Sequence, residues 1–265
     1  MLPAGYEKRS FLQFALPINS EALVEEYHSI PEESWASSYW GNVHCSVGML
    51  LLRGGNAGSS EDFFSEDTVD SPLLAGLPIM SGLLSADGPF GDVDYAFLFR
   101  MEPDGVTLRH RDLMEQWRDL YRVHIPIITN PGAFLVSNNR SLHFAVGSAW
   151  SFDNFADHGV VNGPEERVHL IFDVRFSDRF AAMLDDATFI KGKEDIEHVK
   201  RISDKAAARQ SYPGDKAIRE AIDQLQERGM DNDGIADFLN SKQLPTKQYA
   251  TTGWSAEMIH DFLQS

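Results

Sequence analysis

In the stretch RVHLIFDV, residues 167–174, the polar residues Arg167, His169 and Asp173 all fall an even number of positions apart. Successive side chains of an extended chain point to opposite sides. Arg167, His169, Ile171 and Asp173 therefore share one face, and Val168, Leu170, Phe172 and Val174 share the other. The segment is a strand, and its neighbours are strands too. YRVHIPII (121–128) alternates, GAFLVS and SLHFAV are short and separated by an Asn-Asn turn of hairpin type, and NGPEE turns the chain into Arg167. Short strands at this spacing predict a sandwich or jelly-roll barrel rather than a parallel βαβ sheet.

Towards the N-terminus, VGMLLLRGG reads as a buried strand stopped by Gly54 and Gly55, and YAFLFRMEPDG as a strand ending in a turn. SEDFFSEDTVDSP and SADGPFGDVD read as acidic loops. INSEALVEEYHSI is a helix capped by Asn19 or Ser20. After about Phe180 the texture changes, and residues 194–265 read as helices, with Gly229 as a C-cap and Asp233 and Ser255 as N-caps. The expected division is a β-rich domain over 1–190 and a helical extension over 191–265.

A formal charge of −17 argues against a broad electrostatic grip on nucleic acid or anionic lipid. With Cys45 the single cysteine, neither a disulfide framework nor a thiolate zinc cluster can form within the chain. The N-terminal segment is not a signal peptide and no apolar run is long enough to span a bilayer, so a soluble cytoplasmic protein without membrane partners is expected.

Three readings compete for His110, Arg111 and Asp112 in LRHRDL: a protein-kinase catalytic loop, a metal-binding pair, or a charged surface turn. The kinase motif needs an Asn five residues after the Asp, where this chain has Trp117, and neither a Gly-rich loop nor DFG is present. That reading fails. The metal reading needs a third ligand. Two histidines and a carboxylate on one side of a non-haem iron leave the other side open. His110 and Asp112 can point the same way from an extended segment, and His158 in NFADHGVVN lies at the entry to the strand pair ending in RVHLIFDV. Arg167 shares a face with His169, and an Arg aimed into a barrel is costly unless it meets an anion such as a dicarboxylate. Arg122 and His124 form a second polar pair, two apart on an otherwise apolar strand.

The order HRD, YRVHIPI, GSAWSFDN, a distal His and RVHLIFDV resembles the Fe(II)/2-oxoglutarate-dependent oxygenases of the aspartyl/asparaginyl β-hydroxylase superfamily, most of all bacterial proline hydroxylases. The resemblance covers residues 93–176 well and the N-terminal region loosely. It implies a mainly β chain with α elements: a double-stranded β-helix (jelly-roll, cupin-like) core with flanking helices. It implies that His110, Asp112 and His158 bind Fe(II), and that no catalytic side chain is needed beyond these ligands. Arg167 would bind the distal carboxylate of 2-oxoglutarate, with Arg122 and His124 helping to hold the co-substrate. Trp40 and Asn42, in WGNVH, become candidates on the substrate side; burial in the core is the alternative for Trp40.

The implied reaction converts 2-oxoglutarate and O2 to succinate and CO2 while hydroxylating an unactivated C–H bond. The expected substrate is a free amino acid, or an amino-acid unit of a small natural product or peptide. A second hypothesis is a cupin-like ligand-binding or sensory module with a degenerate metal site and the helical tail as output. His169 and His143 are expected to line the barrel or pack, His44 is ambiguous, and Cys45 reads as core. The tail has the rhythm of a small helical module found beside site-specific recombinases, but it lacks a basic face. It is expected to pack on the barrel, cover the substrate mouth or mediate dimerisation.

Overall fold

A computed structural model describes residues 5–6, 8–35, 44, 46–55, 68–112, 119–210, 215–241 and 254–264. Trp40, Asn42 and Cys45 lie outside the described residues. The strands run in chain order as β1 (Leu12–Phe14), β2 (Val47–Gly55), β3 (Thr68–Asp70), β4 (Val93–Met101), β5 (Val106–His110), β6 (Leu120–Ile128), β7 (Phe134–Ser137), β8 (Arg140–Leu142), β9 (Ala149–Ser151), β10 (His158–Val161), β11 (Arg167–Arg175), β12 (Thr188–Phe189) and β13 (Lys193–Glu194). The helices are α1 (Ser20–Ser29), α2 (Pro78–Leu84), α3 (Asp178–Asp185), α4 (Ile196–Gln210), α5 (Asp215–Glu227), α6 (Asn232–Ser241) and α7 (Ala256–Gln264).

Among the described residues the strands form two antiparallel sheets. The larger has the order β12-β1-β9-β6-β11-β4-β2-β3 and the smaller β13-β8-β7-β10-β5. The mainly β, jelly-roll expectation is borne out. Alternation along the strands decides what each face meets. The outward set of β11 (Val168, Leu170, Phe172, Val174) joins Leu98 of β4 and Ile125 of β6 under helical residues Leu23, Met80, Leu84 and Phe180. The smaller sheet turns Val106, Val136 and Val161 outward against Val199 and Ile202 of α4. Between the sheets lies an inner cluster that includes Phe11, Met101, Leu135, Phe144, Trp150, Phe152 and Val160.

Local chemistry accounts for the connections. Asn138 and Asn139, at φ 48° and 63°, make the β7–β8 turn, and Asn tolerates this left-handed region better than most residues. Asn19 caps α1 by accepting from Ala22 N. Gly229 (φ 83°) ends α5, and Ser255 Oγ accepts from Met258 N ahead of α7.

Three local expectations need correction. β2 ends at Gly55 as expected, but Gly54 and Gly55 pair with Val69 and Thr68 of β3, a strand inside a segment read as loop. The cap of α6 is Asp231, whose carboxylate accepts from Gly234 N, rather than Asp233, which is already helical. In SLHFAV only the first residues extend a strand, β8. Helices α2 and α3 had no reading in the sequence. Ser177 caps α3 by accepting from Phe180 N, and Pro78 starts α2.

Past residue 190 the chain still contributes to the barrel. Lys193 and Glu194 pair with Ser141 and Arg140, and α4 packs on the smaller sheet. Helices α5, α6 and α7 instead share their own cluster, including Ile222, Ile235, Leu239, Trp254 and Ile259.

Candidate metal centre

His110 ends β5 and stands in register with His158 of β10, which lies between β5 and β7. The register slips between His158 and Val160, at Gly159. A side chain on Gly159 would meet the Thr107 carbonyl at 2.8 Å, so glycine is what lets the two strands approach closely enough to face the histidines. Their rings lie 4.2 Å apart between centroids. Asp112 follows two residues after His110, its backbone N–H held by the Asn154 carbonyl at 3.0 Å. One potential ligand atom from each of His110, Asp112 and His158 falls within 4.8 Å of the others.

Hydrogen bonds orient each of the three. The Nδ1 atoms of His110 and His158 lie 2.8 Å and 2.9 Å from the carbonyls of Leu108 and Ala156. A carbonyl accepts only, so each Nδ1 carries the proton and each Nε2 keeps its lone pair for a metal. Asp112 Oδ1 lies 3.5 Å from His110 Nε2, while Oδ2 accepts from Arg122 Nη1 at 2.5 Å and from Asn154 Nδ2 at 3.0 Å. Burial pushes the Asp112 pKa up, but Arg122, His158 and the Asn154 donor outweigh it and hold it below the usual carboxylate range. Burial, reinforced by His110, pulls His158 down to about 4, so it is neutral and fit to ligate at ordinary pH. This donor set, two imidazoles whose Nδ1 atoms are engaged by carbonyls and one carboxylate, fits Fe(II).

Further in, Arg167 is buried at 4% exposure, and burial pulls its pKa down to about 9. Among the described residues no carboxylate pairs with it; its Nη2 lies 3.1 Å from His169 Nδ1. A guanidinium never accepts, so His169 receives that bond. His124 is buried, and neither of its ring nitrogens has a partner among the described residues; the same holds for His169 Nε2. Burial, then Arg167, hold both histidines well below their ordinary pKa, hence neutral. The interior around these groups is walled by Phe97, Phe99, Phe152, Val160 and Ile171. A buried cation, two neutral imidazoles with unpaired nitrogens and apolar walls are the makings of a site for an anion with a polar backbone.

Arg122 lines the same interior as His124 and Arg167, but its guanidinium is engaged by carboxylates of the chain. Its Nε and Nη2 donate to Asp173 at 2.9 Å each, and its Nη1 to Asp112. The guanidinium is thus committed to two carboxylates of the chain, and these hold its pKa up against burial. Asp173, Asn154 and Lys8, whose Nζ donates to Asn154 Oδ1 at 2.8 Å, had no role in the sequence reading. Asp173 lies in the quoted strand and Asn154 in the quoted GSAWSFDN, but neither spacing betrays a partner. His143 bonds the Ala133 carbonyl at 2.8 Å, a packing role. His44, half-buried and held at a pKa of about 3 by desolvation and by His110, lies edge-on to His110 at 5.0 Å.

Residues 62–176 match the aspartyl/asparaginyl beta-hydroxylase family. The resemblance read in the sequence is borne out over that stretch, which contains all three candidate ligands and Arg167. The chain is 23% identical over 158 residues to the L-proline cis-4-hydroxylase of Rhizobium meliloti (strain 1021), covering 58% of this chain and 56% of that one. It therefore spans little more than half the length of this relative. Similar solved structures include a 2OG-Fe(II) oxygenase family oxidoreductase from Burkholderia pseudomallei (18% identity, 59% of this chain, 78% of that one, TM-score 0.42). Another is a Pseudomonas putida prolyl-4-hydroxylase (12% identity, 64% and 94% covered, TM-score 0.40).

Proposed function

We propose that the protein is an Fe(II)- and 2-oxoglutarate-dependent dioxygenase. It hydroxylates an unactivated C–H bond of a free amino acid, or of an amino-acid unit in a small natural product or peptide, with release of succinate and CO2. The observation that carries this reading is the pairing of two sites in one interior. Three ligand atoms converge within 4.8 Å, and beyond them waits a buried guanidinium with no carboxylate partner among the described residues. A dicarboxylate that reaches from one to the other satisfies both. The proline hydroxylase relative supports the amino-acid class of substrate without fixing the amino acid.

His110, Asp112 and His158 would hold the iron, which when bound supplies the O2 chemistry that a side chain cannot. The Nδ1 atoms of the two histidines donate to the carbonyls of Leu108 and Ala156, which leaves both Nε2 atoms available to the metal. Arg167 binds the distal carboxylate of 2-oxoglutarate, and His169 keeps its guanidinium in place. His124, neutral and with its ring nitrogens unpartnered, offers the co-substrate a hydrogen bond from the side wall. The aromatic walls exclude water, which limits idle turnover. In this proposal Arg122 serves the iron site through Asp112 rather than touching the co-substrate. The barrel unit includes α4, and the helical extension proper starts with α5.

Protein supplied with Fe(II), ascorbate and 2-oxoglutarate should form succinate, faster with one of a library of amino acids and short peptides, and mass spectrometry should find one added oxygen in that compound. No succinate above the protein-free level with any of the library would overturn the proposal. Arg167→Ala should raise the 2-oxoglutarate concentration needed for half-maximal rate by at least ~10-fold, with iron binding retained.

A further inference from the structure

Asp112 presents Oδ1 towards the histidines, and what fixes that choice lies outside the ligand set. Its Oδ2 receives two donors, Arg122 Nη1 and Asn154 Nδ2. Each donor is itself held. Arg122 is clamped by both oxygens of Asp173, its register partner across β6 and β11. Asn154 is buried at 1% exposure, and its Oδ1 accepts from Lys8 Nζ at 2.8 Å. An ammonium can only donate, so Lys8 sets which end of the Asn154 amide faces which way. The flipped amide would point NH2 at the ammonium and oxygen at the carboxylate, two repulsive contacts in place of two attractive ones. The Lys8 ammonium also lies over the Phe155 ring, 4.4 Å from Nζ to the ring centroid, which helps to hold it in place.

We propose that Lys8 and Asn154 are positioning residues for the carboxylate ligand: Lys8 locks the Asn154 amide, and Asn154 with Arg122 occupies Oδ2 so that Asp112 meets the metal through Oδ1 alone. The N-terminal segment thereby becomes part of the iron site without touching iron. The inference rests on the metal reading of His110, Asp112 and His158, and deepens it. One oxygen tied back leaves a single-atom ligand and keeps coordination positions for co-substrate and O2. A freely rotating carboxylate could close a position by binding through both oxygens.

The test is cobalt binding to the full chain under conditions where 2-oxoglutarate and turnover are absent, read by calorimetry and by the visible d–d spectrum. Asn154→Ala should weaken Co(II) binding by ~10- to 100-fold, the usual cost of losing such an outer contact. Asn154→Asp keeps size and shape but turns the donor into a second carboxylate facing Asp112, and should bind Co(II) differently from wild type in affinity or spectrum. A space-filling residue would leave the Asp variant silent. Lys8→Met should weaken binding by less than Asn154→Ala and add nothing to it in the double variant, because Lys8 acts through Asn154. Cobalt bound by wild type but equally well, with the same spectrum, by folded Asn154→Ala and Asn154→Asp overturns this proposal alone. An additive double variant overturns the role of Lys8. Wild type that fails to bind cobalt overturns the metal reading beneath it.

Discussion

The two faces of β11 are equally buried and chemically opposite. Val168, Leu170, Phe172 and Val174 look outward into the helices at 0% exposure each, all apolar and packed. Arg167, His169 and Asp173 look inward at 4%, 0% and 1%, all polar, and two of the three are incompletely paired within the described residues. Apolar burial favours the folded state, whereas a buried cation without an anion opposes it. One strand therefore carries both a stabilising face and a costly one, and the cost marks where a ligand belongs. Burial alone does not separate core from site; pairing does.

The outer face should respond most to truncation. Phe172→Ala removes a ring that packs 4.8 Å from Phe90, and should cost about 3–5 kcal/mol in denaturant unfolding while leaving the dependence of rate on 2-oxoglutarate unchanged. A comparable loss of co-substrate affinity would break the separation between the two faces.

The inner face should announce itself through pH. His124 and His169 have folded pKa values well below the ordinary 6.5, from burial and then Arg167. The unfolded chain takes up these protons first as pH falls, so this contribution to stability is complete above about 6.5 and declines below it, by about 1.4 kcal/mol per pH unit for each histidine. Replacing His124 by Phe should flatten the stability-versus-pH curve between about pH 6.5 and 5. An unchanged slope would mean that the ring is charged in the folded protein. Smallest, and of opposite sign, is the effect of Arg167→Met. It removes a desolvated cation and keeps an apolar stem, so the metal-free protein should gain about 1–2 kcal/mol, seen as a raised melting temperature, even as co-substrate binding is lost. A loss of stability would show that Arg167 already has an adequate partner.

Much of the scaffold was legible because its signals are local. The period of two in RVHLIFDV placed β11 and both its faces, Asn138-Asn139 marked the hairpin, and Asn19 and Ser255 marked helix starts. β3 was missed because three residues, Thr68–Asp70, inside an acidic run are too few to show alternation. The helices α2 and α3 were missed because each is at most eight residues long, too short for a periodic pattern to stand out from the surrounding loops. The proximity of His110, Asp112, His158 and Arg167 was legible as an order of residue types.

By itself, then, the sequence determined the strand alternation, the caps and turns, and the residue types available to a metal and a dicarboxylate. These depend on neighbours within a few positions, where chain geometry leaves little choice. Only the tertiary structure decided what each charge answers to. Arg122 could have faced a ligand or a carboxylate, and the β6–β11 register gave it Asp173 across 51 positions and left Nη1 for Asp112. Lys8 and Asn154, 146 positions apart, meet only because the N-terminal segment lies along the barrel. A long polar side chain in a strand carries no mark of its partner, because hydrogen-bond energy depends on distances that no spacing in the chain encodes.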